Sequence, residues 1–163
     1  MPNLAITAAT AYSVMHGSEH AVSFTVDLAA IAGYGNIVTT FRFGGSAIGG
    51  AVEIFKTYAD GTVKLKNSSK VICTLSETMQ TLRVVFDFDN SKIYAYDAQG
   101  ELVDSVNASA PSGYASLEEW RQSYVSSVPI LNWYLADQGG TGFDRYGMYI
   151  GSLKIEEGNA FAS

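Results

Sequence analysis

A chain of 163 residues, 47% hydrophobic and 12% aromatic, has the length and apolar content for one domain with a sizeable core, and this speaks against intrinsic disorder. Its net charge is −6 and its ten Lys and Arg are scattered, so no basic face exists to attract nucleic acid or an anionic membrane. One cysteine, Cys73, excludes an internal disulfide.

Ten Tyr, eight Phe and sixteen Gly beside three Pro favour short strands and frequent turns. No stretch reaches the roughly 18 apolar residues of a membrane span. Met1-Pro2-Asn3-Leu4 lacks the basic-then-apolar order of a secretory signal. The chain is expected to be a single domain over 1–163, cut from a longer protein. Asn67-Ser68-Ser69 and Asn107-Ala108-Ser109 match the glycosylation tripeptide, a pattern common by chance.

Residues 22–28 alternate. Val22, Phe24, Val26 and Leu28 share one face, and Ser23, Thr25 and Asp27 the other. That is the period of a half-buried strand. Gly33-Tyr34-Gly35-Asn36 breaks the pattern, and Ile37–Phe43 resumes it. Gly44-Gly45 and Gly49-Gly50 bracket a glycine-rich connection. Val52–Tyr58 and Thr62–Lys66 flank Ala59-Asp60-Gly61, which predicts a hairpin with both Asp60 and Gly61 able to take positive φ. Val71–Leu75 is a further strand and contains Cys73, read as a buried small residue.

Three strands follow: Leu82–Asp89, Lys92–Tyr96 and Leu102–Val106. A two-residue turn at Asn90-Ser91 would pair Asp89 with Lys92, Phe88 with Ile93, Asp87 with Tyr94, Phe86 with Ala95 and Val85 with Tyr96. Val84, Phe86, Phe88, Ile93 and Ala95 then form a core face. Arg83, Asp87, Tyr94 and Tyr96 form the opposite one.

The helical candidate spans 116–125, one or two turns, with Ser116 as cap and Glu119 completing a capping box. Trp120 and Tyr124 share a face at i, i+4. Strands return at Val128–Leu135 and Tyr146–Glu156, separated by the polar loop Asp137–Arg145. About ten short strands with regular turns predict an all-β sandwich or barrel.

The Leu82–Asp89 strand with its Asn-Ser turn, Ile93-Tyr94-Ala95-Tyr96, Gly100 and Leu102-Val103 resembles the central meander of laminin-G-like domains. Tyr149-Ile150-Gly151-Ser152-Leu153-Lys154-Ile155-Glu156 resembles their closing strand, although those domains often carry Asp or Asn where Gly151 stands. Both belong to the concanavalin A-like lectin/glucanase superfamily. The resemblance is specific around 82–106 and 146–158. It implies an antiparallel jelly-roll β-sandwich of two curved sheets with one short helix. The superfamily hosts lectins, adhesion domains, glycosidases and lyases, so activity has to be argued from the site.

Glycoside hydrolysis needs two converging carboxylates. The Glu-x-Asp-x-x-Glu strand of the superfamily's glucanase-type enzymes is absent. Asp87 and Asp89 flank a hairpin tip, and adjacent Glu118-Glu119 and Glu156-Glu157 diverge on regular elements. No Gly-x-Ser-x-Gly elbow exists. His16 and His20 stand at i, i+4, yet Gly17-Ser18 between them argues against the helix that a metal pair would need. Calcium, which relatives often hold, has oxygen-bearing candidates in Asp89 and Asn90 at one turn and in Asp137 and Asp144 around the glycine loop. Asp and Asn also favour turns for their own reasons.

Tyr94 and Tyr96 beside Arg83 and Asp87 fit sugar recognition, with rings stacking on C–H faces and charged groups bonding hydroxyls. The same face is alternatively an ordinary outer surface, or is covered by 107–127. Trp120, Tyr124 and Tyr34 are further ring candidates, and Trp133 reads as core. The expectation is a non-catalytic carbohydrate-binding module in an extracellular or cell-surface protein, its partner a glycan or polysaccharide. A protein-interaction or adhesion domain of the same fold is the alternative. A glycosidase or polysaccharide lyase comes third, and a coat or fibre subunit remains open.

Overall fold

The computed structural model describes residues 13–16, 20–30, 39–45, 50–127, 130–133, 135–137 and 148–162. Twelve strands and one helix lie within them: β1 (Ser13–His16), β2 (Ala21–Ala30), β3 (Thr39–Gly45), β4 (Gly50–Thr57), β5 (Thr62–Leu65), β6 (Cys73–Thr74), β7 (Gln80–Asp87), β8 (Lys92–Tyr96), β9 (Leu102–Asn107), α1 (Leu117–Ser127), β10 (Ile130–Trp133), β11 (Leu135–Asp137) and β12 (Met148–Glu157). The first five-stranded sheet has the order β11-β3-β4-β5-β6, the second β12-β2-β7-β8-β9, and β1 pairs with β10. Every pairing is antiparallel. The expected antiparallel β-sandwich with one short helix is the fold observed.

Alternation builds the core. Val22, Phe24, Val26 and Leu28 of β2 and Leu82, Val84 and Phe86 of β7 turn inward with Ile93 and Ala95 of β8. They meet Phe41, Val52, Ile54, Phe55, Val63 and Leu65 of the first sheet in one buried cluster. Phe41 and Phe55 stack there with centroids 4.5 Å apart. Ser68 Oγ donates to Asp104 Oδ2 at 2.6 Å and ties the β5 side of the first sheet to the edge strand β9.

The hairpin loops differ from expectation in a consistent way. Between β4 and β5, Tyr58 N–H bonds Thr62 O at 2.9 Å and Gly61 N–H bonds Tyr58 O at 2.9 Å. Gly61 takes φ +88°, whereas Asp60 keeps negative φ and uses Oδ1 to accept the Thr62 N–H at 3.0 Å. This is the longer loop with a single left-handed residue. Between β7 and β8 the loop is four residues, Phe88–Ser91, with Ser91 at φ 53°. The register is Asp87↔Lys92, Phe86↔Ile93, Val85↔Tyr94, Val84↔Ala95 and Arg83↔Tyr96. The two-residue turn and its pairing are therefore corrected by two positions on β7. Because the side-chain period is two, the face of every residue is unchanged.

Val71–Leu75 forms only the short β6, and Val71 itself is exposed. In β12 the register against β2 shifts between Ile150 and Ser152. The bulge leaves Gly151 as the extra residue, a position that glycine suits.

Helix α1 runs 11 residues, longer than expected. Ser116 caps it, its Oγ accepting the Glu119 N–H at 3.0 Å. Glu119 Oε2 reaches back to the N–H of Ala115 at 2.7 Å, one residue before the reciprocal partner of a standard capping box. The cap aims Leu117 and Trp120 into the core. Trp120 is 0% exposed and lies against Phe86 (6.4 Å) and Phe88 (6.1 Å).

Trp120→Ala is expected to lower the unfolding free energy by about 3–5 kcal/mol, the range for deleting a buried aromatic. Ser116→Ala should cost about 1 kcal/mol, as loss of a cap does. Urea denaturation of both variants checks the ranking. Equal effects would mean that α1 is not anchored through its tryptophan.

Candidate functional site

The outer face of the second sheet carries three rows across its strands. Ser23, Val85, Tyr94 and Ser105 form one row, Thr25, Arg83, Tyr96 and Leu102 the next, and Ala21, Asp87, Lys92 and Asn107 the third. The structure thus brings Arg83, Asp87, Tyr94 and Tyr96 to one face, as expected.

What covers part of that face is the chain after β12. Gly158 N–H bonds Ala21 O at 2.7 Å, Ser23 Oγ bonds Gly158 O at 2.5 Å, and Ala160 N–H bonds Ser23 Oγ at 2.9 Å. Ser23 and Val85 are consequently 0% exposed although they point away from the sandwich core. Asn159 Oδ1 accepts the N–H groups of Phe161 (3.1 Å) and Ala162 (3.0 Å), which fixes the turn. Its Nδ2 donates to Tyr96 Oη at 3.0 Å. Phe161 lies 5.9 Å from the Tyr96 ring, and Tyr94 lies 6.3 Å from that ring. Residues 158–162 supply this cover, where cover by 107–127 was one of the alternatives.

Two clefts meet at Arg83, and the first of them borders the strap. One, about 280 Å³, is lined by Arg83, Asp97, Ala98, Gln99, Gly100, Ala160 and Phe161. The other, about 180 Å³, is lined by Cys73, Gln80, Thr81, Arg83, Tyr96 and Asp97 among others. Arg83, Asp97 and Ala98 belong to both. Asp97 shapes the rim, its Oδ1 accepting the N–H groups of Gln99 (2.9 Å) and Glu101 (3.0 Å). Gly100, at φ +80°, approaches the strap so closely that an added Cβ would sit 3.0 Å from Phe161 O.

Asp87 is taken up by its own loop. Oδ1 accepts the Asn90 N–H at 3.1 Å, and Oδ2 accepts Asn90 Nδ2 at 2.8 Å and Tyr94 Oη at 3.5 Å. It orients Tyr94, and its carboxylate is held by the loop that it closes. Burial, reinforced by the Asp87 charge, holds the Tyr94 phenol above its ordinary range. Trp120 is also corrected: its ring is core and offers no face to a ligand. Tyr34 and Asp144 lie outside the described residues, as do the side chains of Tyr124, Trp133 and Asp137.

A third cluster joins His20, Asp89 and Glu118. His20 Nδ1 and Asp89 Oδ1 are 2.9 Å apart, and ligand-type atoms of all three groups lie within 4.8 Å of one another. Glu118 is paired with Arg121, whose hydrogen bonds hold its carboxyl below the usual range. The cluster offers two carboxylates and an imidazole, and Asn90 donates its Nδ2 to Asp87. Calcium takes six to eight oxygens, waters and backbone carbonyls included, and the Asp89 and Glu118 carboxylates supply a share of that number.

No known protein family and no curated protein matches the chain. Among solved structures, chicken galectin 2 aligns at 13% identity with a TM-score of 0.35, covering 88% of this chain and 97% of that one. At that score no functional group is transferred from it.

The strap carries no sequence pattern of its own, because Gly158-Asn159-Ala160-Phe161 follows the last strand and reads as a tail. The legible signal was Ser23, a small hydroxyl on the outer face of a central strand.

Cys73 is half-buried, and burial pushes its thiol up to about 11. Such a thiol is no nucleophile at neutral pH. Its folded value lies above the unfolded one, so its contribution to stability is complete below about pH 9 and is lost as pH rises through about 11. Iodoacetamide labelling of the folded protein should be slow at pH 8 and accelerate only near pH 11. Rapid labelling at pH 8 would overturn the assignment.

Proposed function

We propose that this protein is a non-catalytic carbohydrate-binding module. The observation that carries the reading is the cleft where Arg83, Asp97 and Gln99 converge beside the Phe161 ring, next to the Tyr94–Tyr96–Phe161 aromatic row. Pockets for drug-sized ligands begin at about 300 Å³, so a cleft of about 280 Å³ suits one or two sugar rings as part of a longer chain. An aromatic edge with guanidinium, carboxylate and amide groups supplies both the stacking and the hydrogen bonds such a ligand needs. Tyr94, Tyr96 and Arg83 are the proposed contacts, joined by Asp97, Gln99 and Phe161.

A passive role agrees with the state of the nearby carboxylates. Asp87 closes a turn, Glu118 pairs with Arg121, and Asp97 holds the rim. No pair among them is poised across the cleft as acid and base. The two-sheet sandwich is consistent with the laminin-G-like resemblance of residues 82–106, and we place the module in that superfamily and in an extracellular or cell-surface protein. An adhesion domain would favour a contiguous apolar patch. The exposed large apolar side chains among the described residues are Val71, Met79 and Leu102.

A glycan array, run with and without chelator, tests the reading. Binding to at least one glycan class is expected, unaffected by chelation and weakened about tenfold or more by Tyr96→Ala, the scale of a lost stacking contact. A folded protein that binds no glycan would sink it.

A further inference from the structure

Arg83 stands out on the outer face because it has no partner among the described residues. It projects from the central strand β7, is half-buried, and lines both clefts. It makes no hydrogen bond or ion pair with another described residue. The acids around it are otherwise committed: Asp87 to Asn90 and Tyr94, and Asp97 Oδ1 to two backbone N–H groups. Its cross-strand neighbours are Thr25 and Tyr96, neither of them an acid. A guanidinium presents five donors in a rigid plane and is best satisfied by a planar oxyanion bound through two parallel bonds.

We infer that the ligand of this site carries a carboxylate and that Arg83 holds it: the glycan contains an acidic sugar, a hexuronic acid or a similar carboxylate-bearing residue. The inference rests on the glycan-binding reading and narrows it. A carboxylate is favoured over a polyanionic sulfated chain for two reasons. The protein's net charge of −6 repels a highly charged polymer. The cleft also supplies a single guanidinium, whose fork suits one carboxylate and leaves the further charges of a sulfated chain without a partner. The sugar ring then lies toward Tyr96 and Phe161, and Gln99 takes a hydroxyl.

The test uses oligosaccharides of galacturonic acid and of glucuronic acid, each beside its methyl ester, with neutral hexose oligosaccharides and a sulfated oligosaccharide, measured by calorimetry on the full chain. The acids should bind at least about tenfold more tightly than their esters, the loss expected for a charge-assisted pair. Arg83→Gln should bring the acids down to the level of the esters, and Arg83→Lys should fall between, because it keeps the charge and loses the fork. Tyr96→Ala should weaken acid and ester alike. The acid-to-ester ratio of the unaltered protein stands even if a variant folds poorly. Equal binding of acid and ester, unchanged binding by a folded Arg83→Gln, or preference for the sulfated chain would each overturn the inference. Neutral-sugar binding that depends on Tyr96 but not Arg83 would overturn it while leaving the glycan reading intact. Absence of binding to every sugar would remove both.

Discussion

The pairing of β2 with β7 at the centre of the second sheet is the constraint on which the rest of the molecule depends. Each strand is polarised across its two faces, and the register Phe24↔Val84, Thr25↔Arg83 sets both faces at once. Inward, it assembles the aliphatic and aromatic side chains that the first sheet covers. Outward, it aligns the rows that present Arg83, Tyr94 and Tyr96. A slip by one residue would exchange the two sets and place a guanidinium in the hydrocarbon interior, at a desolvation cost far above the value of any single contact. Core and site are two readings of the same alternation.

The sequence revealed faces better than registers. Leu82 to Phe88 shows which side chains are apolar, so the division into Val84, Phe86 and Phe88 against Arg83 and Asp87 was legible. The length of the loop was not. Asn90-Ser91 suits a two-residue turn, but Asp87 accepts two hydrogen bonds from Asn90 and extends the loop to four residues. The same competition between a side chain and the backbone ladder appears at Asp60 and at Asp97. Asp87, read as a candidate ligand, is also the residue that closes its loop.

Helix α1 shows the converse limit. Its capping serine was readable at 116, because a cap is a local interaction. The destination of Trp120 was not, because it depends on Phe86 and Phe88 some thirty residues earlier in the chain. The strap at 158–162 was illegible for a related reason. Its contacts with Ser23 span 135 residues and more and leave no periodic trace.

The close approach of Gly100 to the carbonyl of Phe161 has a consequence for how such a site diversifies. One wall of the cleft is main chain against main chain, so substitution there disrupts packing before it alters preference. The freedom to vary lies with side chains that border the cavity without supporting it: Ala98, Gln99 and Ala160. Enlarging or recharging those three would reshape the mouth over an unchanged frame. Changes of specificity within this architecture are thus channelled into a few rim positions, while the sheet beneath stays fixed.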